Sequence, residues 1–171
     1  MSTTYTITEA LSDKKLIANK VASKQRFINE HLVRAEQLKD PLLKDGGSEI
    51  AISRELQAID DLGQRLVRIV HAIQQSNLIT MLTIGTVTQS ISDWISWRQT
   101  VAIMLQSLQQ QMQATILRGR ASVAMRTDGL GVTVNLDEAK FARDIENVQT
   151  TLDVLDGKLS LLNATTLVTI D

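Results

Sequence analysis

The chain has 171 residues; 43% are hydrophobic, 3% are aromatic and none is cysteine. The lack of cysteine excludes a disulfide scaffold, a zinc ribbon and a cysteine nucleophile, and so few aromatic and turn residues argue against an all-β sandwich. The formal net charge of -1 lacks the basic excess of a nucleic-acid-binding chain, so we expect no nucleic-acid partner. The length fits one domain or two small ones, and we predict a single, mainly helical domain that spans residues 1–171.

The start of the chain and its apolar runs predict neither export nor membrane insertion. The first five residues lack the basic and apolar regions of a secretory signal. No apolar run approaches the roughly 20 residues that a membrane-spanning helix needs. We therefore expect synthesis in the cytoplasm and no membrane partner.

The first helix is predicted over about residues 6–39. It begins with a capping box, in which Thr6 and Glu9 bind each other's free backbone N–H groups. Pro41 and the pair Gly46-Gly47 are expected to end it. With Lys14 and Gln25 in the two skipped turns, its apolar residues follow steps of three and four, typical of one helical face: Leu11, Ala18, Val21, Ile28, Leu32 and Ala35.

The second helix is predicted over about residues 48–76, with Ser48 as its cap. Its apolar face is expected at Ile52, Leu56, Ile59, Leu66, Val70 and Ile73. Residues 78–87 then change to β-branched and threonine-rich sequence, which favours an extended segment.

The third helix is predicted over about residues 89–122, and Ser90 with Asp93 marks its start. Its apolar face is expected at Ile91, Ile95, Ala102, Leu105, Met112 and Ile116. Its middle is rich in glutamine and carries no charge. Such a face can be exposed to solvent or can lie along a partner helix, and the sequence leaves both open.

The last part of the chain begins with residues 124–136, where Asp128-Gly129 is a turn signal that predicts a small hairpin or an exposed loop. The fourth helix is predicted over about residues 137–162, with Asp137 as its cap. Its apolar face has the most regular spacing in the chain: Phe141, Ile145, Val148, Leu152, Leu155, Leu159 and Leu162.

A short segment of the chain recurs. Asn77 and Thr80, followed by threonine and isoleucine, are matched in type and spacing by Asn163 and Thr166. We interpret each copy as a helix that stops at asparagine, which tolerates the left-handed conformation, and continues as a short strand. The two strands could pair with each other. The predicted fold is therefore four long heptad-patterned helices in an elongated antiparallel bundle, with short β-like segments near residues 78–87, 124–136 and 164–170.

The sequence offers little to catalysis. His31 and His71 are its histidines, and the motifs of zinc proteases, P-loops, serine hydrolases and EF-hands do not occur. We predict no enzymatic activity, no catalytic residue, no cofactor and no metal. Trp94, Trp97 and Arg98 form a candidate partner surface, because tryptophan and arginine are enriched in such surfaces. The alternative is that both tryptophans plug the end of the bundle.

Three segments resemble a known family. They are Arg68–Asn77 at the end of the second helix, Asp93–Arg98 in the third, and the final run from Leu155 to Thr166. In this order they resemble the septicolysin-like family of small helical bacterial and phage proteins. The resemblance covers most of the chain, although glutamine, serine and threonine replace the charged residues expected in the third helix. It implies no catalytic site.

Two functions follow as hypotheses. The first is a non-enzymatic structural protein that assembles through helix contacts, with copies of itself or with other structural proteins. By analogy with phage members of the family, it would be a virion component: a head decoration, a connector or a tail-associated part. The alternative is a membrane-active, cytolysin-type protein, in which the segment Leu78–Val87 or the third helix enters lipid.

Overall fold

The computed structural model describes residues 3–124 and 131–170. Within them the helices are α1 (Ile7–His31), α2 (Ser48–Ile79), α3 (Ile91–Trp97), α4 (Ile103–Ala124) and α5 (Glu138–Thr165), and the strands are β1 (Thr3–Thr6), β2 (Met81–Ile84), β3 (Val87–Ser90) and β4 (Leu167–Ile170). A π-helical segment, Arg98–Ala102, joins α3 to α4 without a break, and a 3-10 helix, Leu43–Asp45, lies before α2. The predicted mainly α fold with short antiparallel strands is confirmed.

The same order of elements occurs twice. Residues 3–84 pass through β1, α1, α2 and β2, and residues 87–170 pass through β3, the α3–α4 stretch, α5 and β4. Each half is thus a pair of helices between two strands. The repeat that was visible in the sequence at the helix ends extends over nearly all of the described chain.

Equivalent caps start the first helix of each half. Thr6 Oγ1 accepts a hydrogen bond from the Glu9 N–H at 3.2 Å, and the Glu9 carboxylate accepts one from the Thr6 N–H at 2.8 Å. The Glu9 carboxylate also accepts a hydrogen bond from the Thr6 hydroxyl at 2.9 Å. The two bonds that the carboxylate accepts lower the pKa of Glu9, the bond from the Thr6 backbone most. In the second half Ser90 Oγ accepts from the Asp93 N–H at 3.0 Å. The predicted capping box and the predicted restart at Ser90 are therefore both confirmed.

The strands pair in two separate ribbons. β1 pairs antiparallel with β4, so that Thr3 lies opposite Ile170, and β2 pairs antiparallel with β3. The prediction that the segments after the second and fourth helices pair with each other is wrong. A two-residue turn, in which Gly85 has a φ of 59° that favours glycine, folds β3 directly back onto β2. β4 pairs with β1, the strand at the start of the chain that corresponds to β3 in the repeat.

Six pairs of equivalent residues form most of the buried core. One set lies around α1 and α2 and includes a residue of β4, the strand paired with β1: Ile7, Ala10, Ile17, Ile69, Ile73 and Val168. The other set comes from the α3–α4 stretch, α5 and β2, the strand paired with β3: Ile91, Trp94, Ala102, Leu155, Leu159 and Leu82. The two sets differ most where Ala10 is replaced by Trp94, a much larger side chain. Burial of this apolar surface is the main stabilising term for each set.

The π-helical segment compensates for a one-residue insertion. Ile91 and Trp94 follow Ile7 and Ala10 by 84 positions, whereas Ala102 follows Ile17 by 85. A π turn holds one residue more than an α turn, so Arg98–Ala102 absorbs the extra residue. As a result Ala102 lies in the core, as Ile17 does in the first half.

α1 is shorter than predicted, and part of its predicted apolar face, Val21 and Ile28, is half-buried. It ends at His31, not near residue 39. Beyond it the side chains are exposed, 82% in the case of Val33, and a helix without a packed apolar face is marginal in water. Leu11, expected on the buried face, is exposed as well. The pairing of β1 points Ile7 inward, and this sets the buried face of α1.

The loop before α2 is held by one carboxylate. Asp40 accepts hydrogen bonds from the Ser48 N–H at 2.8 Å, the Ser48 hydroxyl at 2.6 Å and the Leu42 N–H at 2.9 Å. Ser48 is the first residue of α2, and its hydroxyl donates to Asp40. The prediction that Ser48 caps α2 from outside the helix is therefore wrong. The bonds from Ser48 lower the pKa of Asp40 to about 2.

This lowered pKa predicts acid sensitivity. The hydrogen bonds of the folded state stabilise the ionised form of Asp40. In the unfolded state these bonds are absent, and the pKa of Asp40 is near 3.8. Its stabilisation is present above pH 3.8 and is lost as the pH falls towards 2. We expect Asp40→Ala to lower the free energy of unfolding at neutral pH, and the difference from wild type to shrink between about pH 4 and pH 2. Urea titrations across that range measure it, with Asp45→Ala, an exposed carboxylate of the same loop, as the control. A difference that does not change with pH would contradict this role.

Residues 131–136 contain neither helix nor strand and are mostly exposed. Over these residues the chain forms the predicted exposed loop and not the predicted β-like segment. The predicted turn at Asp128-Gly129 lies outside the described residues. Val132 packs 3.7 Å from the position that a Cβ atom would occupy on Gly119. The segment therefore lies along α4 and contacts that helix at Gly119.

The chain divides into two compact units. One comprises Met1–Ser76 with Leu162–Asp171, and the other comprises Asn77–Leu161. Ion pairs show that the helices of each unit run antiparallel: Lys24–Glu55 and Asp13–Arg65 in the first, and Arg98–Asp156 and Arg120–Glu138 in the second. The single domain over residues 1–171 stays a prediction.

Candidate functional site

Trp94 belongs to the core and not to a partner surface. Its side chain is 4% exposed, and its Nε1–H donates a hydrogen bond to the Leu82 carbonyl at 2.9 Å. The ring meets Trp97 edge to face, with the ring centroids 5.7 Å apart. Trp94 thus fixes the β2–β3 ribbon to α3, and its predicted place in a partner surface is corrected.

Trp97 and Arg98 retain some exposure. Trp97 is half-buried, and Arg98 is exposed, with its guanidinium 2.8 Å from the Asp156 carboxylate on α5. This exposed ion pair is weak in water, so Arg98 can exchange it for another acidic group. A partner surface at Trp97 and Arg98 stays a prediction.

The repeated asparagines do not end their helices. α2 continues through Asn77 to Ile79, and α5 continues through Asn163 to Thr165. Among the residues that the structure describes, positive φ angles occur at glycines and at no other residue type, so neither asparagine adopts the expected left-handed conformation. The predicted helix-ending role of the asparagines is wrong.

The repeated threonines do mark the helix ends. The Thr80 carbonyl accepts a hydrogen bond from the Ile91 N–H at 2.9 Å, and the Thr166 carbonyl accepts one from the Ile7 N–H at 3.0 Å. Each bond joins the end of one helix to the capped start of another. The sequence carries a signal for this junction that the prediction did not use. Thr-Ile-Thr-Glu at residues 6–9 is matched in type and spacing by Ser-Ile-Ser-Asp at residues 90–93.

α4 carries a group of exposed apolar side chains in its first two turns. None of its 22 residues is buried. Ile103, Met104 and Leu108 are 59%, 63% and 51% exposed. Single exposed apolar side chains are ordinary, whereas a cluster of them marks a surface for association.

A groove lies beside this cluster, which we call the α4 groove. It is a hollow of about 350 Å³ between Leu108, Gln111 and Thr115 of α4 and the segment that carries Val134 and Leu136. Met104 lies one turn before Leu108 on the same face of the helix. The groove is open and mostly apolar, and its polar groups are uncharged amides and hydroxyls. It therefore suits apolar side chains better than a charged ligand.

The described part of the chain holds neither a metal-binding cluster nor a membrane-spanning helix. No group of three or more histidine, aspartate or glutamate side chains within residues 3–124 and 131–170 is placed to hold a metal ion. No helix in those ranges is both long and apolar enough to cross a membrane. The ring of His31 lies 2.8 Å from the Phe27 carbonyl and stacks on the Phe27 ring, as part of the end of α1.

Comparisons with known proteins identify the fold and nothing more specific. No family model and no curated protein matches this sequence. A crystal structure of a functionally unknown conserved protein from Corynebacterium diphtheriae is similar, with a TM-score of 0.66 and 13% sequence identity, over 97% of this chain and 99% of that chain. At this identity the similarity shows a shared fold.

Proposed function

We propose that this protein is a structural component that acts by assembling through contacts between helices. The observation that carries the proposal is α4, a helix of 22 residues that buries none of them and exposes a cluster of apolar side chains. Leaving such side chains in water is unfavourable, and a partner that covers them recovers part of that free energy. The partners proposed are copies of the same chain or other structural proteins.

The more specific form of the proposal is a component of a phage virion, such as a head decoration, a connector or a tail-associated part. It is supported by the sequence resemblance to septicolysin-like proteins of bacteria and phages. The nearly neutral charge of the chain is compatible with packing against other proteins, since it gives little long-range repulsion.

The mass of the native protein tests the proposal. We expect a mass above the 18.9 kDa of one chain by sedimentation equilibrium at micromolar concentration, and we expect the protein in purified particles from the same cells. A strict monomer that is absent from every particle would contradict an assembly role. Release of a trapped dye from liposomes by the purified protein would instead favour the cytolysin-type alternative.

A further inference from the structure

α4 differs from the other long helices in carrying almost no charge. α1 carries eight charged side chains in 25 residues, α2 seven in 32 and α5 eight in 28. α4 carries two in 22, Arg118 and Arg120, and both lie near its end. From Gln99 to Leu117 there is no charged residue. The exposed apolar cluster and the α4 groove both lie within this stretch or against it.

We propose that the α4 groove is a self-association surface, and that its occupant is the α4 groove of a second copy of this chain. This inference rests on the proposed function, and it names the surface and the partner.

Symmetry is the first argument for a second copy. In a two-fold contact the same surface serves both partners, so every charged group near the axis meets a group of its own sign. An uncharged surface avoids that repulsion. Gln111 suits such a contact because its amide both donates and accepts, and can therefore pair with the same amide of another copy.

Shape is the second argument. A self-complementary surface must carry both the projections and the hollow that receives them. Met104 and Leu108 project from α4, 63% and 51% exposed. The hollow of about 350 Å³ begins beside Leu108 and continues past Gln111 and Thr115. The projections and the hollow thus follow each other over about 16 Å of one helix face, and a second chain in the opposite orientation places its projections in the hollow.

Adjacent glutamines provide a matched test. Gln111 lines the groove, whereas Gln110 is exposed and points about 100° away around the helix. We expect Gln111→Lys to weaken self-association at least tenfold, because it places two ammonium groups across the two-fold axis. Leu108→Lys should give a monomer, and Gln110→Lys should behave as wild type. Sedimentation equilibrium measures the dissociation constants. Far-UV circular dichroism and the Tm show whether each variant folds, and the exposed Gln111 provides a readout even if Leu108→Lys does not fold.

The outcomes separate this inference from the proposed function. A wild-type oligomer that neither groove variant weakens, or that Gln110→Lys weakens as much as Gln111→Lys does, would overturn the assignment of the groove and leave the assembly role standing. A monomeric wild-type chain would overturn self-association. The assembly role would then depend on whether the protein is found in purified particles.

Discussion

Replacing Trp94 with alanine is expected to lower the free energy of unfolding by about 3–5 kcal/mol, as large-to-small changes of buried aromatic residues do. The side chain is 4% exposed, so its loss leaves a cavity that the rigid helix and ribbon around it fill only in part. It also leaves the Leu82 carbonyl without its 2.9 Å hydrogen bond. Urea unfolding followed by far-UV circular dichroism measures the change without relying on tryptophan fluorescence.

Two further variants divide the effect of Trp94 into its parts. Trp94→Phe keeps most of the apolar volume and removes the hydrogen bond, so we expect a loss of about 1–3 kcal/mol. Trp97→Ala affects a half-buried ring and should cost less than Trp94→Ala. If Trp94→Ala left the stability unchanged and abolished assembly, Trp94 would be an interface residue and its place in the core would be wrong.

The equivalence of the two halves predicts equal losses at Ile69 and Leu155. Both side chains are completely buried, and they occupy matching positions on α2 and α5. We expect Ile69→Ala and Leu155→Ala each to cost about 2–5 kcal/mol, and to agree with each other within about 1 kcal/mol, because each leaves a similar cavity in a similar core. Urea titration monitored by circular dichroism gives both values.

Val67 provides the control for this pair. It lies on α2 two residues before Ile69 and is 69% exposed, so Val67→Ala should change the stability by less than about 0.5 kcal/mol. A large loss at Ile69 together with almost none at Leu155 would contradict the equivalence. It would mean that the second half is held together by other contacts than the first.

The sequence was most informative where a helix packs by regular spacing alone. All seven predicted positions of the last helix, from Phe141 to Leu162, are buried or half-buried in α5, and all six of the third helix are so between Ile91 and Ile116. α1 was predicted less well, because both its inward face and its length depend on contacts outside the helix. The pairing of β1 with β4 turns Ile7 inward, and the lack of packing beyond His31 ends the helix there.

The candidate surface was predicted in part. The uncharged, glutamine-rich middle of the third helix was recognised, and the possibility of a partner helix was left open. The groove depends on Val134 and Leu136 lying against α4, a contact that follows from the path of a loop and has no sequence periodicity. Trp94 was misplaced for a similar reason, because its partner is a backbone carbonyl of β2, and composition holds no information about that atom.

The two ribbons have the same arrangement but close chain loops of very different length. β2 and β3 are joined by a turn of two residues, whereas 160 residues separate β1 from β4. Since each doubling of loop length adds about 0.6 kcal/mol of closure entropy, closing β1 onto β4 directly from the unfolded chain costs on the order of 4 kcal/mol more. We therefore expect the β2–β3 ribbon to form early and by itself. We expect the β1–β4 ribbon to form late, when the helices between its strands have already folded and shortened the path between them. The expected order of folding is thus asymmetric in a molecule whose two halves are built alike.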